Sequence, residues 1–177
     1  EEVFFDNTRQ TIRPEHILAS AAVLPAFPPV EVDGRLLCDA GYTNNLPLDP
    51  LFDPEPARDL LCIALDLFCL RADPPRSLDA VLERANDLIF ASAARRAVAG
   101  LRRNYALRER LDPDGPVATL LHLVYRAGAD QLASKSFDFS PSSIRDRWQA
   151  GASDMERGLD RLAALPPAPG RFHYACP

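Results

Sequence analysis

One carboxylate in this chain has an unusual setting. Asp39 leaves the apolar run Leu36-Leu37-Cys38 and meets the small pair Ala40-Gly41, with Asn44, Asn45 and Pro47 shortly after. A carboxylate in such a place can accept a proton from a partner group or cap the backbone N–H groups of a turn. The other candidates for chemistry are scattered. His16, His122 and His173 are far apart, and Cys38, Cys62, Cys69 and Cys176 have no C-x-x-C spacing. Neither a metal site nor a disulfide framework is therefore expected, and the thiols read as reduced and buried. Ser20 falls within a helical segment, and Ser153 lies in Gly151-Ala152-Ser153-Asp154-Met155. Both lack the Gly-x-Ser-x-Gly elbow that would expose a nucleophile, so they read as structural.

The elements that must position Asp39 follow from pattern and punctuation. Val3-Phe4-Phe5 reads as a short strand closed by Asn7-Thr8. Pro14 opens a helix through His16, Ile17, Ala21 and Ala22, which Pro25, Pro28 and Pro29 stop. Asp33-Gly34 joins Val30-Glu31-Val32 to Arg35-Leu36-Leu37-Cys38 as a tight hairpin, because Gly tolerates positive φ. Asp39 lies just past its second strand.

Further on, Leu60 to Phe68 is almost continuously apolar, the pattern of a strand covered on both faces. Ser77 caps a helix that presents Leu78, Val81, Leu82, Ala85, Leu88, Ile89 and Ser92 on one face and runs to Leu111. Asp112 to Pro116 is a turn, and Ala118 to Tyr125 reads as another strand. Ser140 and Pro141 open a long amphipathic helix with Ile144, Trp148, Ala152, Met155, Leu159 and Leu162 on one face. The tail from Pro166 to Pro177 reads as loosely held. Strands alternating with helices argue for α/β layers.

Composition narrows the functional classes. Of the 177 residues 47% are hydrophobic and 25% charged, the balance of a soluble globular protein, and a net charge of -5 argues against a nucleic-acid partner. Asp66 interrupts the longest apolar stretch, Leu60 to Leu70, which is shorter than the roughly 20 residues needed to span a bilayer. The chain opens on Glu1-Glu2-Val3-Phe4-Phe5 without a secretory signal and without a Met, as though cut inside a strand.

The strings Asp39-Ala40-Gly41 and Asn44-Asn45-Leu46-Pro47, with Ala19-Ser20-Ala21 and the Pro25 to Pro29 passage upstream, resemble the second half of a patatin-like phospholipase. That family carries Asp-Gly-Gly or Asp-Gly-Ala after a strand, then an Asn-rich, Pro-containing turn. The resemblance implies an α/β/α layered sandwich, of which residues 1–72 would be the C-terminal part of the catalytic core. It implies a Ser–Asp dyad acting on lipid acyl esters, with Asp39 as the base, no cofactor and no metal. It also implies a cytoplasmic or peripheral-membrane location. The nucleophile elbow and the oxyanion loop lie outside these residues, so the chain alone is expected to be inactive. The missing half or another chain would complete the fold and cover an exposed sheet edge. The rival reading is a non-catalytic remnant or binding module on the same scaffold. Ala40 departs from the family's glycine, and a positive φ there would cost about 1 kcal/mol or more.

Residues 73–177 resemble the mainly helical extension of a bacterial patatin-like group, through Leu121 to Arg126, Ala133 to Ser140 and Ile144 to Trp148. Arg95, Arg96, Arg102, Arg103, Arg108 and Arg110 read as a solvated helix face, with a cationic surface for lipid headgroups as the alternative. Lys135, the single lysine, reads as part of a plain loop and, less readily, as an anion cradle. Trp148 and Met155 read as core, and His122 as a hydrogen-bonded core residue.

Overall fold

A parallel sheet organises the chain. In a computed structural model, which describes residues 1–126, 138–165 and 170–177, ten elements form. Lys135 and the segment 133–137 lie outside the described residues. Helix α1 (Pro14–Ser20) leads to the antiparallel hairpin β1 (Val30–Val32) and β2 (Arg35–Leu37). Its turn has Asp33 at φ 50° and Gly34 at φ 75°, the left-handed pair that a two-residue hairpin requires. Short helices α2 (Gly41–Asn44) and α3 (Asp49–Phe52) follow.

Strand β3 (Leu60–Asp66) then pairs in parallel with β4 (Ala118–Val124), and β4 with β5 (Phe172–Ala175). Helices α4 (Leu78–Leu111) and α5 (Pro141–Ala163) make the two crossovers. Ser77 caps α4 by accepting the Ala80 N–H at 3.2 Å, and Ser140 caps α5 by accepting that of Ser143 at 3.3 Å.

Each face of the sheet has its own core. Cys62, Ala64, Ala118 and Leu120 meet Ala94, Val98, Leu101 and Tyr105 of α4, together with Leu46, Leu48 and Phe52. On the other face Leu121, Leu123 and Ala175 meet Met155 and Leu162 of α5 and Leu165 beyond it. Both crossovers step the same way across the sheet but run over opposite faces. They are therefore of opposite hand, and one of them departs from the usual right-handed rule.

Several expectations are corrected. Val3 to Phe5 forms no strand, because no ladder partner lies beside it among the described residues. Strand β3 is not covered on both faces: burial alternates along it, with Leu61 55% and Leu65 64% exposed, because α5 lies over β4 and β5 and leaves edge strand β3 bare. The apolar face foreseen for the start of α4 is also exposed at Leu78, Val81, Leu82, Leu88 and Ile89. A 34-residue helix is about 50 Å long, whereas a seven-residue strand spans about 23 Å, so the first turns overshoot the sheet. Trp148 is 79% exposed rather than core, on the first half of α5, where Ile144 is exposed as well. Met155 does pack as expected.

The tail is not loose where it is described: Phe172 to Ala175 form β5, and Arg171 just before it is buried. Arg171 Nη1 donates to Asp112 O at 2.7 Å and Nε to Pro116 O at 3.2 Å, while Nη2 pairs with Glu55. One guanidinium thus ties the start of β5 to the α4–β4 turn and to the segment before β3. Among the cysteines, all four are free, but Cys62 alone is buried, while Cys38 and Cys176 are exposed.

Arg171→Ala should lower unfolding free energy by about 2 kcal/mol, since it removes the partner of the Asp112 and Pro116 carbonyls and of the part-buried Glu55 carboxylate; chemical denaturation measures this. Burial also pushes the Cys62 thiol up. Brief alkylation near pH 8, about where a free thiol ionises, should therefore label Cys38 and Cys176 and spare Cys62 until denaturant is added, as read by mass spectrometry.

Candidate functional site

Asp39 sits two residues beyond the end of β2, at the mouth of a turn into α2. Two backbone hydrogen bonds hold it there. Its N–H donates to Ala22 O at 3.0 Å, which ties it to the end of the α1 segment, and its Oδ1 accepts the Gly41 N–H at 2.6 Å. Among the described residues that is the one donor to the carboxylate, so Oδ2 is left open. The turn-capping role foreseen for Asp39 is thus present in the geometry, and it fixes the carboxylate without occupying both oxygens.

Gly41 is favoured by close contact rather than by its backbone angles. A Cβ built on it would lie 3.0 Å from Asp39 Oδ1 and 3.6 Å from the Phe90 ring. Ala40, by contrast, has φ -83° and ψ 2°. The strain that a positive φ would have imposed is absent, so an alanine fits where the family motif has glycine. Ser20 ends α1 exposed, and no serine hydroxyl among the described residues is hydrogen-bonded to Asp39.

A second polar cluster lies at the C-terminal ends of the parallel strands. Asp66 is 3% and His122 6% exposed, and both face α4 with Tyr174. Asp66 Oδ1 accepts the Phe68 N–H at 3.0 Å, and Oδ2 lies 3.2 Å from His122 Nε2. With Nε2–H donating to Asp66, Nδ1 accepts the Tyr174 O–H, 3.0 Å away. Burial and the neighbouring Cys176 push the Tyr174 phenol up to about 12, against the pull of the Arg102 guanidinium, so it stays a neutral donor at physiological pH. Arg102 stacks on the Tyr174 ring, 4.4 Å from its centroid.

The reading of His122 as a hydrogen-bonded core residue holds. Its two partners escaped sequence reasoning, although Asp66 left a signal as the one charge in the apolar run of β3. Tyr174 lay in the segment read as loose.

The arginines of α4 divide by position. Arg95 and Arg102 line a cleft of about 630 Å³ beside this cluster. Arg108 donates to Phe52 O at 2.9 Å and stacks on Tyr105, while Arg96, Arg103 and Arg110 are exposed. The cleft and the Asp39 turn share an aromatic wall: Phe90 packs against Phe68 on one side, at 4.5 Å between centroids, and against Tyr42 on the other, at 5.2 Å. Among the described residues no group of His, Cys, Asp and Glu could hold a metal ion, and no helix is long and apolar enough to cross a membrane.

An α/β protein with a carboxylate at a strand exit, followed by an Asn-rich turn, is now defined. Residues 5–52, which contain Asp39, match the model of the patatin-like phospholipase family, and residues 90–169 match a second family model described as patatin phospholipase. The chain thus carries a portion of a patatin-like phospholipase, a family of lipid hydrolases. No curated protein matches it.

Since Ala40 is unstrained, Ala40→Gly should bring no relief. It should be neutral or destabilising by about 0.5–1 kcal/mol through the added freedom of the unfolded chain, measured by thermal or chemical unfolding.

Proposed function

We propose that this chain belongs to a lipid acyl ester hydrolase and supplies the carboxylate, Asp39, of a Ser–Asp dyad. The observation that carries this reading is the anchoring of Asp39 by the Gly41 N–H and Ala22 O, with Oδ2 open, inside the segment that matches the patatin-like phospholipase model. Asp39 takes the proton from a serine hydroxyl as that oxygen attacks the ester carbonyl. The acyl-enzyme is then released by water, and backbone N–H groups of a glycine-rich loop stabilise the oxyanion.

The serine and that loop come from sequence outside these 177 residues, and the isolated chain is inactive. On this reading residues 1–72 belong to the catalytic core and residues 73–177 to an extension. The uncovered apolar side chains Leu61, Ile63 and Leu65 support a fold completed by further polypeptide surface, from the same or another chain. A peripheral contact with the lipid surface is compatible with the same exposed groups.

Ester hydrolysis by the full encoded protein tests the proposal. Asp39→Asn should lower kcat by about 10²–10⁴-fold while leaving the fold unchanged by circular dichroism, the range expected for loss of a positioned base. Unchanged activity would remove Asp39 from the dyad. The 177-residue chain by itself should give no burst of acyl-enzyme, and a burst would mean that one of its own serines is the nucleophile.

A further inference from the structure

The cleft at the C-terminal ends of β3, β4 and β5 is lined by none of the residues that hold the Asp39 carboxylate. It occupies the place where open parallel sheets most often bind ligands, outside the carboxyl ends of the strands. Its wall is largely apolar, built from Phe68, Leu70, Ala91, Val98, Ala99 and Val124. Its charge is strongly one-sided: Arg71, Arg95, Arg102 and Arg126 line it against the single carboxylate of Asp66. That carboxylate is already engaged by His122 and the Phe68 N–H. None of the four arginines takes part in an ion pair among the described residues.

The arrangement is also preorganised. Asp66 orients His122, His122 holds the Tyr174 hydroxyl, and the Tyr174 ring supports the Arg102 guanidinium. On α4 the residues Ala91, Arg95, Val98 and Arg102 recur at helical spacing, so apolar and cationic groups alternate along one stripe. A guanidinium held in this way over an apolar floor suits a ligand with both a greasy chain and an oxyanion head, since Arg pairs bidentately with carboxylate and phosphate.

We propose that this cleft binds a single-chain amphipathic anion, its alkyl chain along Phe68 and Val98 and its carboxylate or phosphate head between Arg95, Arg102 and Arg126. The site does not depend on Asp39 acting as a base. A carboxylate head corresponds to a free fatty acid and a phosphate head to a lipid monophosphate, and both share the recognition chemistry.

Isothermal titration calorimetry on the full encoded protein tests this with octanoate and octyl phosphate, each below its aggregation concentration, beside octanol and inorganic phosphate. At least one of the two anionic amphiphiles should bind at a single site, about tenfold or more tighter than octanol and inorganic phosphate, because chain and charge must both be engaged. Which of the two binds more tightly identifies the head group. The double substitution R95Q/R102Q should weaken that binding about tenfold or more. R96Q/R103Q removes the same charge from the same helix outside the cleft and should leave binding as it was. R126Q, which lies outside the helix, gives an independent loss if R95Q/R102Q does not fold. Absence of binding by both amphiphiles would overturn the proposal, as would octanol binding as tightly as the anions or an equal loss in R96Q/R103Q.

Discussion

The parallel register of β3, β4 and β5 is the constraint on which the rest of the molecule depends. Pairing Leu60 with Ala118 and Ala118 with Phe172 puts every second side chain of the three strands on a common face. That one alignment stacks Cys62, Ala64, Leu120 and Tyr174 beneath α4 and turns Leu121, Leu123 and Ala175 toward α5. It also brings Asp66, His122 and Tyr174 together at the strand ends, although they are 56 and 52 residues apart in sequence. A slip of one residue would send these polar groups to the opposite face and expose the small core residues in their place. Arg171 secures the register where β5 starts, since its guanidinium is bound to carbonyls at the base of β4.

Asp39 depends on a different and more local set of forces. A two-residue hairpin delivers it, a backbone hydrogen bond to Ala22 fixes its place, and the Gly41 N–H aims one of its oxygens. Little of this draws on the sheet. The link between the two regions is aromatic: Phe90 of α4 lies between Tyr42, beside the Asp39 turn, and Phe68, at the end of β3. Through that packing, the position of α4 on the sheet sets the wall that the Asp39 turn leans on.

The apolar surface left in view follows from the same geometry. Parallel sheets normally have both faces covered, because a strand joined by crossover helices is buried from two sides. Here α5 serves β4 and β5 only, and the first turns of α4 run past the sheet, so Leu61, Ile63, Leu65, Leu78 and Leu82 are exposed. Sequence pattern recognised Leu61, Ile63 and Leu65 as part of a continuous apolar run and Leu78 and Leu82 as a helical stripe. It had no means of telling whether a surface stood opposite, since periodicity describes one side of an interface and is silent about the other.

Local chemistry was therefore legible. The Asp33-Gly34 turn, the Ser77 and Ser140 caps, the two long helices, strands β3 and β4 and the exit position of Asp39 all depend on groups a few residues apart, and the order of residue types determines these. The family resemblance was legible for the same reason, as a short string around Asp39. What only the tertiary structure decided was long-range. It made the tail into β5, left Trp148 in solvent, gave Ala40 a negative φ and so none of the strain that the family's glycine there suggested, and joined Asp66, His122, Tyr174 and Arg102 into one cluster. Pairing between distant strands and the reach of a helix relative to its sheet are properties of packing in space, where spacing along the chain carries almost no information.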